Sequence, residues 1–529
     1  MISSEGLSGI ALQYMSRNNQ PSRPLNVLVI NGHPRKASLS EALCDQYIAG
    51  ATAAGTVVHR IDLYALDFEP NVLHHSPNTQ FMEPGLVRAQ KLIAWADHVV
   101  FVYPTWWGTM PAILKGFIDR VFTAGFAFEE IEGGTGYAPL LRGKTAQLMT
   151  TMDTPKLVYN LVYRAPGNNA MHRATLGFCG FLMLKNEIFS PVKSADETRR
   201  KLWLNKAYQL GKKLRSGALS PTQKIGIKAF SWFKAIRFQF YPMTFIAYAA
   251  GAVAAGQMGY GYSSFIFWVG YLWLFFLELV TVLSNDYVDY PTDVQNRFFG
   301  PFSGGSRVMV DKLLSPKEMR IGILASLILC FGALAVLLAA AKGALSTLTM
   351  TCLVLTIITT GYTIPPLRLS YRGLGEATVA FTHSFAVIVC GYIFQGGKLA
   401  DQVPWLLSIP LFLSVLPSIM LAGIPDHDAD KSVSKNTLAV LLGKKRVVRL
   451  AIFFTLTAAL LVLVYHLFKV EQGAFTNLLV FVVPHALLIV YLLCRYLRNP
   501  YPPARIDGLL VAALSYILWF GLIPLINLM

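Results

Sequence analysis

The chain has 529 residues, of which 54% are hydrophobic and 14% are charged, and its mean hydropathy is +0.47. A chain this long and this apolar is not a single soluble domain, because one core could not bury all of its apolar side chains. The formal net charge is +17, but much of it lies in loops between apolar runs, so we expect no nucleic-acid partner.

The composition changes along the chain and predicts a soluble half followed by a membrane half. The six cysteines form no CxxC pair and are expected to be buried thiols. Residues 1–22 are polar and lack the apolar core of a signal peptide, so we expect the N-terminal half to stay in the cytosol. The predicted parts are a disordered N-terminus (1–23), a soluble domain (24–216), a basic amphipathic linker (217–240) and a transmembrane domain (241–529).

The soluble half alternates strands with helices. The run LNVLVIN (25–31) predicts a buried strand, and further strands fit residues 59–63, 98–104, 145–151 and 182–189. Such alternation indicates an open parallel α/β sheet, whose ligand should bind at the carboxyl ends of the strands. There, NGHPRKASLSEAL opens a helix whose N-terminus suits a phosphate. The tryptophans of PTWWG could flank a flat ring or simply belong to the core.

Two stretches, GHPRKASLS and PAILKGFIDRVFTAGFAF, resemble the flavodoxin-like NAD(P)H:quinone oxidoreductases over about residues 25–215. This resemblance implies FMN as the cofactor, with FAD as the alternative, NAD(P)H as the hydride donor, and a homodimer. The phosphate and ribityl end of FMN would be held by His33, Ser38, Leu39 and Ser40. The isoalloxazine would be lined by Pro104, Thr105, Trp106, Trp107, Thr150, Thr151 and Tyr159.

The linker SPTQKIGIKAFSWFKAIRFQF (220–240) predicts either a basic helix lying in the lipid headgroups or a plain helical connection. Nine apolar segments follow, at about 241–257, 263–284, 320–341, 345–362, 375–396, 404–424, 447–467, 475–495 and 506–527. Sixteen basic residues lie in and beside the loops on the side of the soluble half, against three on the other side. This asymmetry predicts a multi-pass inner (plasma) membrane protein with a cytoplasmic N-terminal domain and its C-terminus on the opposite face.

Two groups of aspartates follow apolar segments on the predicted cytosolic side. Asn285, Asp289 and Asp293 are spaced by four residues and would share one helix face, although Pro291 interrupts the spacing. Asp426 and Asp430 repeat the same spacing. Carboxylates backed by basic residues suit Mg²⁺ bound together with a phosphate substrate. The alternative is that these are solvated loop acids.

The segments NDYVDYPTD, GPFSGGSRVM, GYTIPPLRLSYRGLGE and PDHDADKSVSKNTLAVLLG resemble the UbiA superfamily of aromatic prenyltransferases, closest to its dihydroxynaphthoate (menaquinone) branch. The resemblance implies an all-α bundle of nine transmembrane helices. By it, Asn285, Asp289 and Asp293, with Asp286 beside them, and Asp426 with Asp430 would bind Mg²⁺ and diphosphate. The diphosphate would also contact Arg307, Arg368, Arg372 and Lys435, and the reacting carbons would lie near Tyr362 and Tyr371.

Together these patterns predict a bifunctional membrane enzyme. The soluble half would reduce a quinone to a hydroquinone, and the membrane half would transfer a prenyl group from a prenyl diphosphate to that electron-rich ring. One alternative is two uncoupled activities with a phenolic acid as the prenyl acceptor. The other is a redox-sensing domain on a membrane anchor or transport module. A transport module would be expected to carry ionisable residues within its apolar segments, and few are present.

Overall fold

The computed structural model describes residues 24–130, 137–216, 221–296, 298–311, 313–341, 345–470 and 473–529. The predicted disordered stretch 1–23 and the basic residues Arg297, Lys312 and Lys342 lie outside them. The chain divides into two compact units, with the main boundary between Ser231 and Trp232.

The N-terminal unit is built on a parallel sheet with the order β2-β1-β3-β6-β7, and β8 also pairs with β6. Its centre is fully buried, because β1 and β3 consist mainly of valine, leucine, isoleucine and phenylalanine, which favour strands covered on both faces. The strands are β1 Asn26–Asn31, β2 Val57–Asp62, β3 His98–Pro104, β4 Phe128–Glu130, β5 Tyr137–Pro139, β6 Thr145–Thr151, β7 Leu182–Met183 and β8 Glu187–Phe189. The predicted open parallel α/β sheet is confirmed.

Helices connect these strands. They are α1 Leu39–Ala53, α2 Pro84–Trp95, α3 Ala112–Val121, α4 Lys156–Leu161 and α5 Glu197–Lys212. The first begins where sequence predicts it, because the Ser38 side chain accepts a hydrogen bond from the Glu41 amide. Two features differ from expectation. The strand predicted over 182–189 is two short strands, and the antiparallel pair of β4 and β5 was not predicted.

The C-terminal unit is helical. Its helices, with the one preceding it, are α6 Pro221–Ile236, α7 Tyr241–Gln257, α8 Ser264–Val288, α9 Tyr290–Gln295, α10 Pro316–Ala340, α11 Leu345–Thr360, α12 Gly375–Phe394, α13 Val403–Ser432, α14 Leu438–Leu442, α15 Lys444–Leu467, α16 Leu478–Arg498 and α17 Asp507–Leu528. Residues 382–386 of α12 form π-helical turns.

Within the described residues, seven helices are long and apolar enough to cross a membrane: α8, α10, α12, α13, α15, α16 and α17. Of the other predicted spans, α11 is a shorter apolar helix of 16 residues and α7 has 17 residues. The helical membrane half is therefore confirmed, whereas the count of nine spans stays a prediction.

Helices α7 and α12 pack closely through glycines. A Cβ at Gly251 would collide with the Ile388 carbonyl, and a Cβ at Gly391 would collide with the Tyr248 carbonyl. Small residues let two helix backbones approach this closely. Such packing is common in membrane bundles, where the hydrophobic effect does not drive helices together. The contact fixes the register of α12 against the middle of α7.

Candidate functional site

In the N-terminal unit, the predicted cofactor residues gather where β1, β3 and β6 end. The His33 ring is buried and meets the Trp106 ring edge-on, with 5.7 Å between centroids. The Asn31 side chain accepts a hydrogen bond from the His33 amide at 3.2 Å, which holds the chain as it leaves β1. Burial, followed by the charge of Arg35, lowers the pKa of His33.

A tight turn presents the two tryptophans. The amides and carbonyls of Trp106 and Thr109 bond each other at 2.9 and 3.0 Å, and both central residues, Trp107 and Gly108, have positive φ (51° and 77°). That geometry favours glycine, so Trp107 occupies a strained position. Its side chain is fully exposed, which contradicts the alternative that it is an ordinary core tryptophan.

Tyr159, predicted to line the isoalloxazine, lies behind this turn. It is 1% exposed. Its hydroxyl donates to the Gly108 carbonyl at 3.2 Å and accepts from the Asn168 amide at 3.2 Å. Tyr159 therefore supports the turn that carries the tryptophans, and its direct contact with a flavin ring stays a prediction.

The same edge holds buried hydroxyls without a hydrogen bond inside the described part of the chain: Ser40 Oγ, Thr105 Oγ1 and Thr150 Oγ1. Buried polar atoms normally have partners, so a ligand with several acceptors is indicated. Leu39 begins α1, directly after the Ser38 cap, Pro104 ends β3, and the Thr105 amide donates to the Thr151 carbonyl at 2.7 Å. These residues fit a flavin with its phosphate at the N-terminus of α1.

In the C-terminal unit, Lys435 joins the two acidic motifs. Its Nζ lies 2.6 Å from Asp289 Oδ2 and 3.7 Å from Asp430 Oδ1. The Tyr371 hydroxyl donates to Asp289 Oδ1 at 2.8 Å, and the Lys435 ammonium lies 5.5 Å from the centroid of the Tyr371 ring. Burial opposes the charge of Lys435, but Asp289 and Asp430 outweigh it and raise its pKa above the usual range.

The segment 296–307 also joins the two motifs. Asn296 Nδ2 donates to Asp426 Oδ1 at 2.7 Å, and the Gly304 amide lies 3.4 Å from Asp426 Oδ2. Ser306 donates to Asp286 from its amide at 3.2 Å and from its hydroxyl. Gly305 has φ 69°, and a Cβ there would collide with an Asp293 carboxylate oxygen, so only glycine fits.

The helix geometry of the motifs differs from the prediction. α8 ends at Val288 and α9 begins at Tyr290, so Asp289 caps one helix and Asp293 lies in the next. The sixth apolar segment was predicted to end at about residue 424, but α13 continues through Asp426 and Asp430 to Ser432. Of the three acids in this stretch, only Asp428 is well exposed, so the interpretation as solvated loop acids is wrong for Asp426 and Asp430.

The predicted diphosphate ligands differ in exposure. Arg307 donates to the Asp293 carbonyl at 2.8 Å and lies 3.8 Å from the centroid of the Phe299 ring. Arg368 and Arg372 are exposed: the first lies 4.6 Å from the centroid of the Tyr371 ring, and the second donates to the Pro366 carbonyl.

The two remaining predicted residues are half-buried. Asn285 Oδ1 accepts from the Thr363 hydroxyl at 2.9 Å. Burial raises the pKa of Tyr362 to about 12, with Lys435 opposing and Asp289 adding to the shift. Tyr362 is therefore a neutral phenol within electrostatic reach of both joined motifs.

No three His, Cys, Asp or Glu side chains of the described residues converge to hold a metal ion by themselves. The donor set still fits Mg²⁺, which is usually held by one or two carboxylates, waters and substrate phosphates. Asp430 Oδ1 is buried without a hydrogen bond from the described chain. Burial, with Asp286 and Asp289 adding to it, raises the pKa of Asp293 to about 8, so a cation bound among these acids would favour its ionised form.

Residues that the sequence did not single out also build the site. They are Asn296, Gly304, Gly305, Ser306 and Thr363. Four of them lie in or just before GPFSGGSRVM, a segment in which paired glycines before an arginine signal a close backbone approach. Their partners across the fold could not be read from spacing.

The membrane half also has an apolar groove of about 500 Å³ among α11, α12 and the start of α13. It is lined by Met350, Val354, Ile358, Phe381, Phe385 and Trp405, among others. An apolar lining of this kind suits a hydrocarbon chain.

Comparison with known proteins matches each unit separately. The sequence profile of the UbiA prenyltransferase family matches residues 242–507, half of the chain, and a profile for a flavodoxin-like fold matches residues 25–209.

Ribosyldihydronicotinamide dehydrogenase (quinone) of Pongo abelii is 31% identical over 204 residues, 33% of this chain and 85% of that protein. An uncharacterized NAD(P)H oxidoreductase of Haemophilus influenzae is 28% identical over 190 residues, 35% of this chain and 93% of that protein. The solved NAD(P)H:quinone oxidoreductase of Methanothermobacter marburgensis is 22% identical and aligns with a TM-score of 0.33, covering 36% of this chain and all of that one. The two profile matches confirm the resemblance of each unit to its family, and the dihydroxynaphthoate branch stays a prediction.

Proposed function

Because the chain belongs to the UbiA prenyltransferase family and carries an N-terminal flavodoxin-like NAD(P)H:quinone oxidoreductase domain, we propose that it makes a prenylated hydroquinone in two coupled steps. The N-terminal unit reduces a quinone with electrons from NAD(P)H. The C-terminal unit then attaches a prenyl group from a prenyl diphosphate to the reduced ring. The product class is a menaquinone-type lipid.

The physical reason for joining the two activities is electronic. An allylic cation is attacked by an electron-rich ring, and a quinone ring is electron-poor. Two-electron reduction gives a hydroquinone, whose two oxygens donate into the ring. Tethering the two domains raises the local concentration of this air-sensitive product, to the millimolar range for a short linker.

In the N-terminal unit, the backbone at the start of α1 and the buried hydroxyl of Ser40 would hold the phosphate of FMN. The turn with Trp106 and Trp107 would cover its ring, with Tyr159 holding that turn in place. Bound FMN supplies hydride chemistry between NAD(P)H and a quinone. The exposed indoles leave the quinone an apolar surface to stack on.

In the C-terminal unit, Asp289, Asp293, Asp426 and Asp430 would hold Mg²⁺ and diphosphate, and Mg²⁺ supplies positive charge to the departing diphosphate. Lys435 and Arg307 add charge at the same place, so the allylic C–O bond can ionise. Tyr371 and Tyr362 present aromatic faces that can stabilise the cation.

The observation that carries this proposal is the contact of Lys435 with Asp289 and Asp430, over the face of Tyr371. A cation held between two carboxylate motifs and an aromatic ring meets two needs of a prenyl transfer: charge for the leaving group and a face for the carbocation. A transport or anchoring module would need neither.

The test is to incubate the purified full-length protein with an oxidised quinone, a prenyl diphosphate and Mg²⁺, with and without NAD(P)H. We expect prenylated product only with NAD(P)H, and product in both cases when the hydroquinone is supplied directly. Equal product from the oxidised quinone without NAD(P)H would overturn the coupling.

A matched pair of variants distinguishes the specific role of the acidic motif from the general effect of removing one negative charge. Asp289→Asn should abolish prenyl transfer while quinone reduction continues. Asp428→Asn changes an exposed acid of the second motif that pairs with Lys444 and His427, and it should leave both activities intact. Equal losses in both variants would contradict the assignment.

The proposal includes a cytoplasmic N-terminal unit and a homodimer formed through it. A cysteine introduced at Lys398, expected on the opposite face, should be labelled by a membrane-impermeant reagent added to intact cells, whereas a cysteine introduced at Lys193 of the N-terminal unit should be labelled only after the membrane is disrupted. Light scattering of the detergent-solubilised protein should give twice the mass of one chain.

A further inference from the structure

A second polar cluster lies deeper in the membrane half than the acidic motifs. On α8, Glu278 precedes Asn285 by seven residues and Asp289 by eleven, so the three share one helix face. Seven residues of helix correspond to about 10 Å along the axis. Glu278 Oε2 accepts a hydrogen bond from the Thr244 hydroxyl of α7 at 2.9 Å.

A histidine faces the other oxygen of this carboxylate. His383 lies in the π-helical turns of α12, and its Nε2 is 3.8 Å from Glu278 Oε1. Its Nδ1 lies 3.0 Å from the Val379 carbonyl, which can only accept, so Nδ1 carries the hydrogen. Nε2 faces the Glu278 carboxylate, and in the protonated ring it carries a hydrogen directed at that carboxylate.

The 3.8 Å between Nε2 and Oε1 is too long for a direct hydrogen bond and leaves a gap between the two groups. A hydroxyl that donates into the gap would complete it. The Tyr241 hydroxyl lies within electrostatic reach of Glu278. Tyr241 is 4% exposed, and its hydroxyl has no hydrogen bond among the described residues, so a further polar partner is expected beside it.

The cluster and Asn285 of the first acidic motif lie on the same face of α8. Residues spaced by three or four along this face are half-buried: Phe275, Glu278, Val282 and Asn285. Glu278 and Asn285 bond residues of other segments, so this stripe faces the bundle interior. The His383 side chain is 29% accessible, so the described chain does not fully cover it.

We propose that Glu278 and His383 bind a ring hydroxyl of the aromatic acceptor and take its proton during prenyl transfer. This inference rests on the proposed function. A ring in near-attack contact, about 3–3.5 Å from the carbon bonded to the diphosphate, would fill the depth between Asn285 and Glu278. Glu278 is the proton acceptor, and protonated His383 donates from Nε2 to the hydroxyl oxygen, which holds the hydroxyl against Glu278.

The O–H bond breaks, its proton moves to Glu278, and its electron pair pushes into the ring. The C–O bond of the prenyl diphosphate has already broken, with its electron pair leaving on diphosphate, and the ring carbon forms the new C–C bond with the allylic cation. The substituted carbon then loses its hydrogen to diphosphate, and Glu278 returns its proton to the ring oxygen.

The alternative is that the cluster only joins helices α7, α8 and α12, as polar groups in membrane bundles often do. Glu278→Gln separates the two roles, because glutamine keeps an acceptor for Thr244 but cannot take a proton. Asp401→Asn is the matched control. Asp401 is a carboxylate of the same unit that accepts bonds from the Tyr260 and Tyr392 hydroxyls and lies outside the proposed site.

The experiment uses full-length protein, a supplied hydroquinone, Mg²⁺ and a prenyl diphosphate labelled with ¹⁸O at the bridging position. Product formation reports the whole reaction, and scrambling of the label reports ionisation alone. In Glu278→Gln we expect product formation to fall by about 100-fold or more, a higher KM for the hydroquinone, and scrambling at the wild-type rate. His383→Gln should raise the same KM with a smaller loss of rate, and Asp401→Asn should match wild type.

Two results would overturn the inference. Wild-type product formation by Glu278→Gln would show that no proton acceptor is needed there. Loss of product and scrambling together would assign Glu278 to structure or to ionisation. If the wild-type protein prenylates no hydroquinone, the proposed function fails and this inference fails with it, a result distinct from either of the other two.

Discussion

Replacing Lys435 by methionine is the most direct test of the joined acidic motifs. Lys435 and Asp289 are both nearly buried and lie 2.6 Å apart, with side-chain accessibilities of 13% and 4%. At an effective dielectric constant near 20, a pair at that distance attracts by about 6 kcal/mol, most of which offsets the loss of hydration. Removing one partner leaves a buried carboxylate uncompensated and costs about 3–5 kcal/mol.

The same residue stabilises charge on the departing diphosphate, so the transition state loses more than the ground state. A loss of about 3–4 kcal/mol corresponds to a fall in kcat of about 100- to 1,000-fold. Prenyl transfer should be measured in detergent with the hydroquinone supplied, so that the reductase step does not limit the rate. The fall should appear in kcat, with quinone reduction unchanged.

The control is Lys444→Met. Lys444 lies 3.2 Å from Asp428, and both side chains are more accessible, at 26% and 62%. An exposed pair contributes about 0–1 kcal/mol, so this variant should keep its rate within about threefold. If Lys435→Met lost no more activity than Lys444→Met, the buried bridge would have no catalytic role and the reasoning would be refuted.

Three further predictions concern single residues. Gly305→Ala should lower stability by about 1–3 kcal/mol and prenyl transfer by more than tenfold, measured by thermal denaturation and product assay, because its φ is 69° and a Cβ meets the neighbouring carboxylates. His98 is fully buried and burial lowers its pKa to about 4, against about 6.5 in the unfolded chain. Because the fold disfavours protonated His98, the free energy of unfolding of the N-terminal unit should fall by about 3 kcal/mol as pH falls from about 6.5 to 4. Hydrogen exchange of β3 measures this fall, which should be smaller in His98→Gln. Tyr159→Phe removes the hydroxyl bonded to Gly108, so flavin should bind several-fold more weakly by equilibrium titration, while prenyl transfer to a supplied hydroquinone is unchanged.

Controls for these variants come from the same chain. Gly332 lies on α10, where an added Cβ would meet no other atom within 4 Å, so Gly332→Ala should be neutral or slightly stabilising. A Gly305→Ala protein with wild-type activity, a His98→Gln protein with an unchanged pH slope, or a Tyr159→Phe protein with normal flavin affinity would each contradict the corresponding contact.

The soluble fold was largely predictable because its signals are local. The run at 26–31 is apolar and β-branched and is buried in a parallel sheet, and Ser38 caps the following helix as its position suggests. The division of 182–189 into two strands was not predictable, because propensity does not show where pairing with a neighbour stops. The same applies to the pair of β4 and β5, whose strands have only three residues each.

In the membrane half, sequence predicted which residues carry charge but not how they pair. Asp289 and Lys435 are 146 positions apart, and nothing local indicates their contact. The end of α13 was misjudged because hydropathy falls at Pro425, whereas the helix continues to Ser432 with Pro410, Pro417 and Pro425 inside it. Neighbouring segments can satisfy the backbone groups that proline frees in such helices.

Because the turn exposes Trp107, the intrinsic tryptophan fluorescence of the protein should report on whether this turn is covered. The chain has nine tryptophans, and the indole of Trp107 stands fully in water while that of Trp106 is about half exposed. Acrylamide should therefore quench this pair well before a buried indole such as that of Trp273. A ring stacked on the turn would shield both indoles, so occupancy of the N-terminal unit could be followed by emission in an intact membrane, without any label.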